Sequence, residues 1–349
     1  MTTRHVSATE RAAPAGPPDT TTASTRVPPR GPTPTAAPRG AGLGTGRRLL
    51  RALAVAATLP YVALKAAWLG GSRIGIPPDS VLLESGSFLV VANAVTLAMD
   101  ACVIVLALVL TRPWGMRVPA PVLTLPVFVA TGLLAPIVVT SPVQLLIRVV
   151  GPGQTAPAAG EPFLDPWVFG VVYGGFIVQA LALMGLFVPY ARERWGGLWQ
   201  GSLGPRLPSP TGVVTAAAVV TGAVVAAVHL YWAFGGSAGL PAARVALYSA
   251  ETGAGSAALA LFVLGAATGA VLLARGGARS ARAPMALAWV CAAASLCWGG
   301  WLTVALLAPD IGGAEGDTRV MGLIYAGQMI TGLLASIVVV RSLRSRRTG

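Results

Sequence analysis

The fold class this sequence predicts is all-α: a polytopic membrane protein of about eight spans behind a disordered tail. Three observations carry that expectation. Hydrophobic residues make up 54% of the chain and charged residues 11%, whereas a soluble domain carries about 25% charge. A chain so poor in charge cannot cover its surface with polar groups in water, so lipid must solvate it. Second, apolar stretches of roughly 20 residues, the length that crosses a bilayer core, recur along the chain. Third, short motifs in the first four spans match motifs in the last four, which predicts two parallel four-helix repeats.

The elements follow in order. Residues 1–46 include RAAPAGPPDTTTASTRVPPRGPTPTAAPRG, rich in Pro, Thr, Ala and Gly. Such a stretch buries too little apolar surface to offset chain entropy, which predicts a disordered tail. No apolar core of a signal peptide follows within the first 30 residues, so secretion is not expected. After GRRLLR, spans are expected at 49–69, 87–110, 120–139, 167–189, 213–234, 254–274, 284–308 and 320–340. The first repeat then occupies 47–200, and the second, with a basic tail, 201–349.

Charge sets the orientation. The net charge is +13, a value that in other chains points to nucleic acid. Here the arginines sit in tails and short connections, so no nucleic-acid partner is expected. Of the loops, one side collects the arginines of the tails together with Arg112, Arg117, Arg192, Arg194, Arg206, Arg275, Arg279 and Arg282. The other holds only Arg73, Arg148, Arg244 and Arg319, with Asp79, Glu84, Glu161, Asp165, Glu251, Asp310, Glu315 and Asp317. Positive charge is retained inside, so both termini are expected in the cytoplasm of a plasma-membrane protein.

Chemistry is sparse. Cys102, Cys291 and Cys297 fall in apolar spans and form no disulfide framework. The histidines, His5 and His229, are too few and too far apart for a zinc cluster or a bis-His haem. There is no Walker loop, no dinucleotide-binding G-x-G-x-x-G, no H-E-x-x-H and no G-x-S-x-G. No metal, no cofactor and no enzymatic activity are expected.

The repeat rests on three collinear matches. KAAWLGGSRIGIPP from Lys65 aligns with HLYWAFGGSAGLPA from His229, LESG at 83–86 with AETG at 250–253, and FGVVYGGFIVQALAL from Phe169 with MGLIYAGQMITGLLA from Met321. The offset changes from about 164 to 152, and the difference falls in the longer connection TSPVQLLIRVVGPGQTAPAAGEP. Four spans per copy keep both copies in one orientation, related by an axis along the membrane normal. On His229-x-x-Trp232 followed by Gly235-Gly236, the second half resembles small four-helix membrane proteins of unknown function from high-GC bacteria. That resemblance implies fold and membrane location only. The first copy departs from it, with Lys65 at the histidine position.

Lys65 is the only lysine in the chain and lies four residues inside the end of span one. An interfacial lysine beside a belt tryptophan explains it; so does pairing with an acid. Glu84 opens the next span, and His229 and Glu251 occupy equivalent places in the second copy, so the expected pairs are Lys65–Glu84 and His229–Glu251. Asn93, Thr96 and Asp100 fall at i, i+3 and i+7, one polar stripe on span two. Asp100 is expected near the midplane, too deep to meet Lys65 unless Pro60 kinks the first span. Either Asp100 handles a proton or cation, or, protonated, it is held by Gln179 of span four. The small residues Gly170-x3-Gly174 and Gly322-x3-Ala326 are expected to let helices approach closely, and Gln179 and Gln328 to bond across helices. Trp68, Trp167, Trp195 and Trp232 fit interfacial belts.

Taken together, the expected function is transport or sensing of a small solute or ion, with Asp100, Asn93, Gln179, Lys65, Glu84, His229 and Glu251 as the residues that meet it. The alternative is an accessory or structural subunit, single or homo-oligomeric, whose polar residues lock helices in the lipid.

Overall fold

Backbone in lipid can satisfy its N–H and C=O groups only within its own segment or against protein, so the apolar runs become helices. The computed structural model describes residues 44–80, 83, 86–150, 164–307 and 319–348. In chain order the helices are α1 Thr45–Ala56, α2 Leu59–Leu69, α3 Gly86–Val109, α4 Ala120–Val150 and α5 Pro166–Trp199. They continue as α6 Thr211–Ala233, the short α7 Ala242–Ala246, α8 Ala250–Arg275, α9 Arg282–Leu307 and α10 Arg319–Thr348. With α1 and α2 counted as one 25-residue stretch, eight segments are long and apolar enough to cross a membrane. The chain is thus a polytopic all-α membrane protein. An even count puts the start of α1 and the end of α10 on one side, the terminal face; the opposite side is the distal face. The expected tail falls almost wholly on residues 1–43, outside the described residues, as do Glu84 and residues 308–318.

Two spans differ from expectation. The connection expected from Thr140 is helical through Val150, although Pro126, Pro136 and Pro142 lie inside α4. Each proline removes a backbone donor, and a neighbouring helix braces α4 near the middle one. Trp298 Nε1 of α9 donates to the carbonyl of Leu133 at 3.1 Å, beside the turn that Pro136 interrupts. The first span is broken rather than kinked. Pro60 offers no N–H to Ala56, the Ala57 N–H turns back to Leu53, and the Thr58 N–H shortens its reach to Val55 at 3.1 Å. Among the described residues no backbone N–H therefore reaches the carbonyls of Ala54, Ala56 and Ala57. This gap lies halfway along the span.

Packing is uneven. In the second half, α8 packs on α6 and α9, and α10 packs on α9 and α6, around alanines that are fully buried: Ala260, Ala266, Ala270, Ala288 and Ala292. Small residues let backbones touch, which replaces the hydrophobic drive that lipid removes. In the first half the neighbours correspond, α3 and α5 flanking α1–α2 with α4 against both, but much more apolar surface faces outward: Val90, Val95, Val122 and Leu125 are more than half exposed. The halves meet where α4 lies in the groove of α8 and α9. Phe128 there meets Trp289 edge to face at 5.1 Å.

The glycine expectation needs correction. A Cβ at Gly170 or Gly174 would meet nothing within 4 Å, so that pair faces outward and brings no helix close. The close approaches lie at Gly175, where a Cβ would sit 3.0 Å from the Ala57 carbonyl, and at Gly332, where it would sit 2.4 Å from the Leu296 nitrogen. Helix facing is set by the register of the whole span, which a local four-residue spacing does not fix.

On the distal face, two turns share one geometry. Trp68 Nε1 donates to the Ile74 carbonyl at 2.8 Å, and Trp232 Nε1 to that of Ala238 at 3.0 Å, each six residues on. Positive φ falls on Gly71 and Gly75 in one turn (88° and 74°) and on Gly235 and Gly239 in the other (85° and 81°). A Cβ on Gly75 would strike Val168 at 2.4 Å, and one on Gly239 would strike Val320 at 2.6 Å. Those valines directly precede the matched runs from Phe169 and Met321.

Candidate functional site

The buried charge lies in the first half. Lys65 Nζ donates to Asp100 Oδ2 at 2.6 Å, with side-chain exposures of 0% and 7%. The expectation places Asp100 too deep for Lys65 with straight helices, Pro60 being the exception; the span is indeed broken before Pro60 and the pair forms, and side-chain direction helps to bring it together. Cα–Cβ bonds tilt toward a helix N-terminus. α2 runs toward the distal face and α3 away from it, so the long lysine stem reaches down while the carboxylate points up, and they meet between the two backbone levels. The expected Lys65–Glu84 pair falls on a residue outside the described ones, and the ammonium is held by Asp100.

Aromatic rings close the pair from the side. The Lys65 ammonium lies 3.6 Å from the centroid of the Tyr61 ring, four residues earlier on the same helical face. Such a desolvated cation–π contact is worth about 2 kcal/mol. Tyr61 in turn meets Phe176 of α5 edge to face at 5.4 Å, and Phe176 meets Tyr173 at 6.4 Å. Asp100 of α3 and Tyr61 of α2 thus hold the ammonium, and Phe176 of α5 backs the Tyr61 ring.

The rest of the stripe is less satisfied. Thr96 returns its hydroxyl to the Ala92 carbonyl at 2.7 Å, within α3. Asn93 and Gln179 are buried, at 7% and 2% exposure. Neither amide side chain has a hydrogen-bond partner among the described residues, so the expected Asp100–Gln179 bond is not made. Gln179 follows Gly175 by one helical turn, on the face of α5 that meets Ala57. The broken span and this amide therefore share a seam. Polar backbone and a buried amide thus lie on the α1–α2 and α5 contact, and the ion pair lies on the α2 and α3 contact of the same three-helix group.

In the second half, the expected His229–Glu251 pair is overturned. His229 Nε2 lies 3.1 Å from Gln328 Oε1 of α10, with the ring buried and edge-on to Trp232 at 5.4 Å. Gln328 aligns with Phe176 in the motif match: His229 meets that point of α10 directly, whereas in the first half Tyr61, the ring under Lys65, meets it on α5. Gln328 Nε2 is buried with no hydrogen-bond partner among the described residues. Glu251 instead joins Arg148 of α4: Arg148 Nε donates to Glu251 Oε2 at 2.7 Å, and Gln144 Nε2 to its carbonyl at 3.1 Å. The cause is again direction: Glu251 sits in the first turn of α8, facing α4 across the seam between halves. Arg148 is well exposed at 69%, so Glu251→Gln is expected to cost less than about 1 kcal/mol, read from the midpoint of SDS-induced unfolding in mixed micelles.

Sequence reasoning missed Tyr61, Gln328 as the histidine's partner, and Arg148. For Tyr61 the signal was present, in its i, i+4 spacing from Lys65. Trp232 is buried at 5% rather than interfacial, because its indole is drawn back over the turn. Among the described residues no cluster of three or more His, Cys, Asp or Glu could hold a metal ion. Comparison with family models, with curated proteins and with solved structures finds no match for the chain.

Proposed function

We propose that this chain moves or senses a small solute or ion across the plasma membrane, with both termini in the cytoplasm and the Lys65–Asp100 pair as the element that responds to it. The observation that carries the reading is that pair, held at 2.6 Å in the apolar layer of the more loosely packed half. Ionisable groups inside spans are expensive and are kept where they act. A mere lock between helices needs no buried amides left without a partner among the described residues. Here Asn93 of α3 and Gln179 of α5 are such amides, and with the carbonyls at the α1–α2 break they offer donors and acceptors on the same three helices that carry or back the pair, for a passing ion or its water. Discontinuous spans with free carbonyl ends serve this role in transporters built from repeats. The matched distal turns and corresponding helix neighbours support the duplicated architecture, with the second half as rigid scaffold and the first as the responsive half.

A second reading is favoured by one observation: the pair is buried away from the best-formed cavities. Neither the cavity at the terminal ends of α5 and α10 nor the one between α2 and α5 is lined by Lys65 or Asp100. In that reading the chain is an accessory subunit and the pair sets helix register. The deciding measurement is proton and cation flux in proteoliposomes, comparing the natural chain with the charge-free double variant Lys65→Met/Asp100→Leu. Loss of flux in a variant that remains folded is expected. Equal flux from both proteins would refute a role for the pair in transport.

A further inference from the structure

The terminal face carries a second site that the buried pair does not explain. A cavity of about 700 Å³ opens between the end of α5 and the end of α10, lined by Arg192, Glu193, Arg194, Trp195, Arg346 and Arg347 among others. Four guanidiniums and one carboxylate face it, and the carboxylate is already bound by Arg47 of α1.

The arginines divide by what their donors do. Arg194 gives Nη1 to the Tyr190 hydroxyl at 2.6 Å and Nη2 to the Val118 carbonyl, and lies over the Trp195 ring at 5.1 Å. Arg346 binds the carbonyls of Leu198 at 2.9 Å, Gln200 at 2.6 Å and Ser202 at 2.8 Å, pinning the connection that leads to the strand Ser202–Gly204. These two form fixed positive walls. Arg192 and Arg347 are exposed and have no hydrogen-bond or ion-pair partner among the described residues. Both stand where their helices leave the apolar core, one residue past buried Ala191 and one turn past half-buried Leu343. At Trp195 the α5 backbone leaves helical geometry, with φ −129° and ψ 21°, which turns the end of α5 across the rim rather than onward into water. Gly197, on the lining, would find nothing within 4 Å of an added Cβ, so this wall is open.

We infer that this cavity binds the phosphate of an anionic phospholipid headgroup, Arg192 and Arg347 closing on it while Arg194 and Arg346 supply a fixed field. The charge sign selects an anion, and the level of the cavity, at the ends of two spans, places it among headgroups. Basic pockets between helices at a membrane surface have this use. Bidentate guanidinium–phosphate geometry suits arginine better than lysine. The proposal stands on the membrane fold alone and is independent of any flux through the first half.

The test uses the full chain, delipidated in a neutral detergent, and measures lipid retention by native mass spectrometry with thermal stability alongside. Probes are phosphatidylglycerol, phosphatidylcholine and inorganic phosphate at matched concentrations. Phosphatidylglycerol is expected to bind and to raise the melting temperature, whereas phosphatidylcholine and phosphate leave it unchanged. In Arg192→Gln/Arg347→Gln, which alters two exposed side chains, affinity for phosphatidylglycerol is expected to fall roughly tenfold or more, each arginine near the surface contributing about fivefold. Equal binding of phosphatidylcholine, stabilisation by phosphate alone, or undiminished binding by the double variant would each overturn the inference.

Discussion

Lys65→Met is expected to destabilise the protein by about 3–5 kcal/mol, the cost of leaving a buried charge without its partner. Asp100 then keeps a carboxylate at 7% exposure with no donor to replace the ammonium, since Gln179 does not reach it and Thr96 is committed to its own helix. Asp100→Leu should cost a similar amount, because the ammonium would keep only the Tyr61 ring at 3.6 Å. The double variant is expected near the natural stability, or up to about 4 kcal/mol above it, because apolar replacements of matched size often improve on a buried ion pair. The quantity that decides is the coupling energy of the cycle, read from midpoints of SDS-induced unfolding. A strong favourable coupling establishes that the two groups act as one element. Single losses that simply add in the double variant would contradict the geometry at its centre. The same double variant is the folded, charge-free chain needed for the flux comparison, so stability and function are separated by one protein.

The spans were legible because lipid imposes a single requirement on backbone, and length with low charge is enough to meet it. Their ends were less so. α4 runs eleven residues beyond its expected end through Pro142, and the partners of that extension are far along the chain: Gln144 and Arg148 bond Glu251 at the start of α8, which no local spacing announces. The distal turns were readable because glycine is needed where φ is positive, at Gly71 and Gly235, and that need is local. The importance of Lys65 and Asp100 was also readable, from the rarity of charge inside spans. Their pairing was not, because depth was counted along each helix separately while the Cβ directions of antiparallel helices converge. For His229 and Glu251 the partners come from α10 and α4, far along the chain, and no sequence spacing points there. Gly170 and Gly174 show the opposite failure: a familiar spacing with no partner helix against it.

Gly132→Val is expected to lower stability by about 3 kcal/mol or more through overpacking at backbone. A Cβ at Gly132 would stand 2.4 Å from the Ala293 carbonyl and 2.6 Å from Cys297 Sγ of α9. The thiol can rotate away, but the carbonyl belongs to a helix fixed on its other side by α8 and α10. Relief therefore requires α4 to back out of its groove. That movement would stretch the Trp298–Leu133 bond at 3.1 Å and the Phe128–Trp289 contact at 5.1 Å, which flank Gly132 along the same seam. Lost hydrogen bonding at a proline-interrupted turn in lipid adds to the steric term, because no water is present to replace the indole donor. Gly174→Ala is the matched control: its Cβ meets nothing within 4 Å, and alanine favours helix over glycine, so a change within about 0.5 kcal/mol is expected. Thermal unfolding in detergent with size-exclusion profiles compares the two. If Gly132→Val were tolerated as well as the control, α4 would not be the element that joins the charged half to its scaffold, and the responsive half would have to be held through α5 and the terminal connections instead.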